Sequence, residues 1–258
     1  AWKEARNRGG DFGFCRAKFI SPSTMNMLDG MRRQLVSELD SMGIAPAASA
    51  AHASQGSLVR SVLAMGMYPS VGRMIPLQPG QTPGKPTVAT RRGEKVKVHA
   101  SSSNKNMEPP KPEDGAALVA FDEVTRGESM LYVRQITVVP PLPLLLIAGR
   151  LCVEEDVPDE VYDEDGNVIP PPEGVQSEFA ALVVDDWLRF RVPLSTAAQI
   201  CSLRLRLSTA FSHKVHRPRS PLRPDLEAAV QVATTMLLRE GEQSAMWTAG
   251  VLPSGGYV

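Results

Sequence analysis

Between Lys85 and Lys105 the chain concentrates cations. Lys85, Arg91, Arg92, Lys95, Lys97 and Lys105 stand against one acid, Glu94, for a net charge of +5. Lys95, Lys97 and His99 alternate with Val96 and Val98, which predicts a half-buried strand with a basic outer face. Ammonium and guanidinium groups gathered in this way can neutralise phosphates. The charge has a second possible outlet. Leu151 to Asp186 holds twelve acidic residues and no basic one, and Trp187 to Arg223 holds eight basic residues and no acidic one. Basic blocks can meet phosphate or pair with the acidic block inside the protein, and charge alone leaves both open.

Other spacings approach ligand sites and fall short. Gly80 to Thr87 has three residues between its glycines, where a phosphate-cradling loop needs four. Pro86 follows Lys85 where that loop needs Ser or Thr, and proline has no N–H to offer a phosphate. Asp163, Asp165 and Asn167 alternate like the start of a calcium loop, but glycine falls at the fourth position rather than the sixth. A solvated acidic loop is the expectation there. His213 and His216 lie three apart beside Lys214 and Arg217, which would repel a metal cation. Cys15, Cys152 and Cys201 are too scattered for a zinc knuckle or a disulfide framework and fit a reducing compartment. No Gly-x-Ser-x-Gly elbow occurs. Nothing here supports catalysis within the chain, and neither a metal nor a cofactor is expected on it.

These residues must be carried by elements. Lys plus Arg and Asp plus Glu each number 28 in 258 residues, with 43% hydrophobic content. That excludes a basic tail, an acidic tail and a wholly disordered chain. The longest apolar stretch, Val138 to Ala148, holds three prolines and is too short to span a bilayer. The start at Ala1-Trp2-Lys3 reads as mid-helix, so the expectation is a piece of a longer polypeptide. Ser21-Pro22 predicts a helix start, with Met25, Leu28, Met31, Leu35 and Leu39 as a core-facing stripe ending at Gly43. Residues 45–56 read as a linker. A short helix from Ser57 to Gly66 would turn Leu58, Val59, Val62 and Leu63 inward and end at Tyr68-Pro69.

The period then changes to two. Val71 to Leu77, Thr87 to Arg92, Glu94 to Ala100, Ala117 to Val124 and Met130 to Val139 read as strands, with a turn at Thr125 to Glu128 and a short buried run at Leu144 to Ala148. Strands over Phe179 to Val184 and Trp187 to Val192 flank Asp185-Asp186. A helix capped by Ser195 carries Ala197, Ile200, Leu203, Leu207 and Phe211. A last helix carries Leu226, Ala229, Val230, Ala233 and Leu237 and stops at Gly241. The expected fold is α+β: a small antiparallel β-barrel flanked by N-terminal helices and a C-terminal helical extension.

Several segments resemble one family. Leu63-Ala64-Met65-Gly66-Met67-Tyr68-Pro69-Ser70-Val71 resembles the stretch that enters the oligonucleotide-binding-like barrel of DEAH/RHA-type RNA helicases. Val96 to Asn104 is similar to that barrel's strand and turn, with Ala100 where the family has proline. Leu118 to Val124, Tyr132 to Val139 and Leu144 to Gly149 follow in the family's order. Phe14 to Ser21 resembles the end of its helical ratchet domain, and Val184 to Phe190 resembles a segment of its multidomain branch.

The resemblance implies a parent that hydrolyses ATP and moves along RNA, with ATP and Mg held by motor domains outside these residues. It divides the chain into the end of the ratchet domain with linker (1–56), the OB-like barrel (57–153), an acidic loop (154–178) and a mainly helical extension (179–258). It implies a non-catalytic part that helps hold single-stranded RNA, or DNA, in a channel. The residues expected to do so are Arg91, Arg92, Lys95, Lys97, His99, Ser101, Ser102, Ser103 and Asn104. Other partners would be the parent's own RecA-like and ratchet domains, with no membrane. The setting would be intracellular, in nucleus, cytoplasm or an organelle. The competing expectation is a docking module built on the acidic loop and the basic helix 195–215.

Overall fold

The computed structural model describes residues 1–44, 52–77, 84–110, 117–155, 161–162, 168–169 and 178–248. Most of the expected linker, the Gly80 end of the glycine loop, the Asp163–Asn167 run and most of the acidic segment lie outside the described residues. The chain forms two compact units, Ala1–His52 with Lys214–Pro221, and Ala53–His213 with Leu222–Val258.

The first unit holds α1 (Trp2–Asn7), α2 (Asp11–Ala17) and α3 (Pro22–Ser41). Ser21 caps α3 as expected: its hydroxyl accepts from Thr24 N–H at 3.3 Å, and proline occupies the first turn. Asp29 gathers Lys3 and Arg6 of α1 and Arg32 and Arg33 of α3 at 3.2–3.7 Å. Burial pushes its carboxyl up, but Lys3, Arg33 and Arg32 outweigh that and hold it below the usual carboxylate range. The stripe expected to be core is not: Leu28, Met31, Leu35 and Leu39 are exposed, and α3 has no buried residue. Helix α1 engages α3 on its Asp29 side through charge and leaves the apolar stripe uncovered.

The second unit opens with α4 (Gly56–Met67). Ser61 and Ala64 are its buried residues, while Val59, Val62 and Leu63 are exposed. Small side chains let the helix approach its neighbours closely, and the Ser61 hydroxyl is satisfied by the Ser57 carbonyl at 3.0 Å. Seven strands follow: β1 (Val71–Met74), β2 (Thr87–Thr90), β3 (Lys95–Val98), β4 (Leu118–Phe121), β5 (Val124–Arg126), β6 (Leu131–Val133) and β7 (Ile136–Val139). Their order is β5-β6-β3-β2-β1-β4-β7.

The stretch expected as one strand over Met130 to Val139 breaks at Arg134-Gln135. Its first half, β6, pairs parallel with β3, and its second half, β7, pairs antiparallel with β4. One segment therefore bridges both ends of the β3-β2-β1-β4 sheet and curls it into a barrel. The turn expected at Thr125 instead pairs as β5 on β6. Gly72 is required in β1: a Cβ there would stand 2.3 Å from Val88 Cγ1. Met74, Val88, Val96, Val98, Val119, Phe121, Val133 and Ile136 fill the barrel.

Strand β4 is buried on both faces. Leu118 and Ala120 join a second core with Ala64 of α4 and with α5 (Leu142–Leu146). That core continues into a sheet of β8 (Leu151–Glu155), β11 (Phe179–Val184) and β12 (Leu188–Pro193). Between β8 and β11 lies a two-strand pair, β9 (Val161–Tyr162) with β10 (Val168–Ile169). Helices α6 (Leu194–His216) and α7 (Pro224–Thr248) complete the core. On α6 the buried set is Ala197, Ile200, Leu207 and Ala210, and Phe211 points to solvent. Helix α7 continues past Gly241, where a stop was expected; an interior glycine costs about 1 kcal/mol and does not end a helix by itself. The short buried run at Leu144 is the helix α5, started by Pro141 and Pro143.

Candidate nucleic-acid interface

Strand β3 alternates as its sequence requires. Val96 and Val98 are fully buried in the barrel, Lys95 is exposed and Lys97 half-buried on the outer face. The β2–β3 hairpin closes through Thr90 N–H to the Glu94 carbonyl at 3.0 Å, with Gly93 at φ +78. Arg91 and Arg92 form its tip. The Ser101–Asn104 turn lies at the opposite end of β3. Four strand residues separate the two groups by roughly 13 Å, with Lys95 and Lys97 on the strand between them.

Register adds a residue that sequence reading missed. Arg73 of β1 lies opposite Ala89 of β2, and Ala89 lies opposite Lys95 of β3. Arg73 and Lys95 thus share the outer face two strands apart, about 10 Å, with a small alanine between them. Lys97 follows one pleat along β3, beside Thr87 and Tyr132. Among the described residues, Arg73, Arg92, Lys95 and Lys97 have no ion-pair partner. Only three-dimensional pairing could reveal Arg73, because it stands alone among apolar neighbours in sequence.

The turn after β3 is mostly tied inward. His99 N–H donates to the Val133 carbonyl at 2.8 Å. Its Nδ1 accepts from Ser101 N–H at 3.1 Å and stands 2.7 Å from Ser101 Oγ, which leaves the ring proton on Nε2. The ring meets Tyr132 edge-on at 5.5 Å. Ser102 is buried; its N–H donates to the His99 carbonyl and its Oγ accepts from Asn104 N–H at 3.2 Å. Asn104 donates from Nδ2 to the Ile136 carbonyl at 2.7 Å. Ser102 and Asn104 thus fasten the turn to β7. Ser101 and Ser103 remain at the surface. Tyr132 packs against Gly127, where a Cβ would meet its ring at 2.7 Å, so it is not a free stacking platform.

Arg91 has a protein partner. Its guanidinium lies 3.4 Å from Asp185 Oδ2. Asp185 also accepts from the Tyr68 hydroxyl at 2.5 Å and from Arg150 N–H at 2.6 Å. The Tyr68 hydrogen bond above all, then Arg150 N–H and Arg91, hold its carboxyl below the usual range against the opposing effect of burial. Burial and the Asp185 carboxylate push the Tyr68 phenol up to about 12, so it stays a donor. Asp185 and Asp186 adopt φ +49 and +64 in the β11–β12 turn, a conformation aspartate tolerates. Arg150 grips both Asp186 oxygens at 2.9 Å. Gly149 must be glycine, since a Cβ would stand 2.5 Å from the Asp185 carboxylate.

Arg204 of α6 closes this region. It donates to the carbonyls of Leu145 at 2.8 Å and Ala148 at 2.9 Å, and also to those of Leu144 and Gly149. Leu144 and Leu145 belong to the last turn of α5, where carbonyls run short of intrahelical donors, and Ala148 and Gly149 follow it; the Leu144 carbonyl also accepts from Ala148 N–H at 3.1 Å. The group links the α4–β1 junction, the β2–β3 hairpin and the β11–β12 turn. Sequence reading noted Tyr68 and Asp185 separately, and nothing in the spacing of residues 117 apart could join them.

Among the described residues no three His, Cys, Asp or Glu side chains come together as metal ligands, and no helix is long and apolar enough to cross a membrane. The three thiols are free.

Residues 59–151 match the oligonucleotide/oligosaccharide-binding (OB)-fold family, the segment that forms the barrel. Over 93% of its length the chain is 35% identical to the DExH-box ATP-dependent RNA helicase DExH6 of Arabidopsis thaliana, covering 21% of that protein. It is 33% identical over 98% of its length to DExH2 of the same plant, covering 17% of it. It is 24% identical over 93% of its length to the human ATP-dependent RNA helicase DHX29, covering 16% of it. The chain thus spans about a fifth of these relatives, or less.

Proposed function

The chain is built around an OB-fold domain and resembles DExH-box RNA helicases along nearly its whole length, and on that premise we propose that it is a non-catalytic auxiliary region that helps hold single-stranded RNA. ATP and Mg would belong to motor domains outside these residues, and hydrolysis to the larger protein. The barrel would be the RNA-facing part, with residues 1–56 as the end of a helical domain and 179–258 as an extension bracing it.

One observation carries this reading. Arg73, Lys95 and Lys97 share one outer face of β1–β2–β3, and no acid among the described residues neutralises them. Arg92 at the hairpin tip and the hydroxyls of Ser101 and Ser103 flank that face. Contacts of this kind reach phosphates and sugars and carry little sequence information. Single-strand binding to three or four phosphates gives a log–log salt slope of about −0.7 per phosphate, so affinity should fall roughly 20- to 50-fold between 50 and 200 mM salt.

The test is fluorescence anisotropy of a labelled single-stranded RNA with the 258-residue chain. Lys95→Glu with Lys97→Glu should reduce affinity by about tenfold or more and leave the melting temperature unchanged, because both side chains reach solvent. Unaltered binding in a folded double variant would sink the placement on β3. No binding at low salt would sink the role for this region. The docking alternative is weakened on one side, since Arg204 of the basic helix is already engaged by four carbonyls.

A further inference from the structure

Away from the barrel's basic face, α6 and α7 splay apart over α5 and leave a cleft of about 740 Å³. Its walls are Leu142, Leu145, Ile200, Leu203, Val232 and Met236. Ala228, Ala229 and Ser202 keep the helix surfaces low where the cleft is lined by them. Val232 is 51% exposed although it lies on an apolar wall, so the cleft is open to solvent along α7. Apolar surface left in an open groove is where a partner gains most by excluding water.

Its polar groups are few and unevenly placed. Arg206 of α6 and Arg239 of α7 line the two sides, both exposed and both without an ion-pair partner among the described residues. Helix α6 carries no acidic residue at all. Glu240 sits at the α5 end. One of its carboxylate oxygens accepts from Leu142 N–H at 3.0 Å, and the other is buried with no hydrogen-bond partner. Burial pushes its carboxyl up to about 7, so at neutral pH it opposes the arginines only in part. The cleft is therefore apolar along its length and positive on both sides. A nucleic acid would find the charge but would have to lay phosphates or bases on a leucine- and valine-lined wall.

We propose that this cleft is a docking groove for an amphipathic helix of a partner protein, one whose apolar stripe is flanked on both sides by Asp or Glu. The stripe would bury against Ile200, Leu203, Val232 and Met236, and the flanking carboxylates would meet Arg206 and Arg239. Small residues permit the close approach that helix-in-groove docking needs.

The test uses the 258-residue chain and two labelled helical peptides of about four turns. Both carry leucines at helical spacing; one has Glu at every flanking position and the other Lys. The Glu peptide should bind at least about tenfold more tightly than the Lys peptide. Val232→Glu should weaken the Glu peptide by a similar factor, and Arg206→Glu with Arg239→Glu should reverse the preference. All three positions are exposed, so an unchanged melting temperature is expected and is measured alongside. Equal affinity for the two peptides, or Glu-peptide binding that survives Val232→Glu, would overturn the proposal. Displacement of the Glu peptide by single-stranded RNA would hand the groove to nucleic acid instead. Concentration-dependent dimerisation abolished by Val232→Glu would hand it to a second copy of the chain.

Discussion

Two sets of cations in the same structural unit lead different lives. Arg91, Arg150 and Arg204 each end on protein oxygens: the Asp185 carboxylate, the Asp186 carboxylate and the carbonyls around the end of α5. Arg73, Arg92, Lys95 and Lys97 meet no acid among the described residues. The two sets are interleaved in sequence, and Arg91 and Arg92 are neighbours. Charge type does not separate them; the presence of a pre-placed acceptor does. A guanidinium already facing a fixed acceptor gains less from a phosphate, whereas an uncompensated ammonium on a sheet face gains most from one. Removing a member of the first set should cost stability and leave RNA affinity alone; removing a member of the second should do the reverse.

The largest effect expected is at Arg204. Replacing it with Met keeps the aliphatic stem and removes donors to four carbonyls around α5. The Leu144 carbonyl keeps Ala148 N–H as a donor; leaving the others partly buried without Arg204 should cost on the order of 2–3 kcal/mol, read by urea unfolding. Affinity per folded molecule for single-stranded RNA should stay within about twofold. A variant as stable as the parent would show that water serves those carbonyls as well as Arg204 does.

Asp185→Asn comes next. The amide keeps the shape but weakens the bonds from Tyr68 and Arg150 and loses the charge facing Arg91. A loss of about 1–2 kcal/mol at neutral pH is expected. The pH dependence follows from the depressed carboxyl. Because its folded value lies below the unfolded one, the contribution is complete above the ordinary carboxylate value near ~3.9 and disappears as pH falls through the folded value. The stability gap between parent and Asp185→Asn should therefore be flat from neutral pH to about 5 and narrow only below about 4. A gap that already narrows near pH 6 would assign the effect to another group.

The way these sets became visible shows what the sequence could and could not disclose. Alternation in Lys95 to His99 located β3 and its faces correctly, because a period of two in a half-buried strand is a local property. The Ser21-Pro22 start of α3 was equally local. The apolar stripe of α3 misled, since amphipathicity marks a face fit for burial but not whether this chain supplies the cover. The interior of Met130 to Val139 read as one strand because its break serves two distant partners, β3 and β4. Arg73 could not be joined to Lys95, nor Tyr68 to Asp185, without the register and the turn that bring them together.

Among the uncompensated cations, Arg73 gives the sharper and smaller test. It stands alone on β1, two strands from Lys95, so its replacement disturbs no hairpin. Arg73→Ala should reduce RNA affinity roughly two- to fivefold and flatten the salt slope by about 0.7. Stability should change by no more than about 0.5 kcal/mol. An unchanged slope would confine the RNA to β3 and the turn beyond it.

Ser101 is where the comparison is most finely balanced. Its hydroxyl stands 2.7 Å from His99 Nδ1, while its N–H already donates to the same nitrogen at 3.1 Å. A nitrogen with one lone pair cannot serve both fully, so the two donors share it, and the hydroxyl, a free rotor, can turn outward while the N–H stays. Ser101→Ala should then leave stability within about 0.5 kcal/mol, because the backbone bond, Ser102 and Asn104 still hold the turn. If that hydroxyl bonds a phosphate oxygen, affinity should fall up to about threefold with no change in salt slope, since no charge is lost. A fall in stability with affinity intact would instead place Ser101 beside Ser102 and Asn104, as part of the fastening of the turn rather than of its outward face.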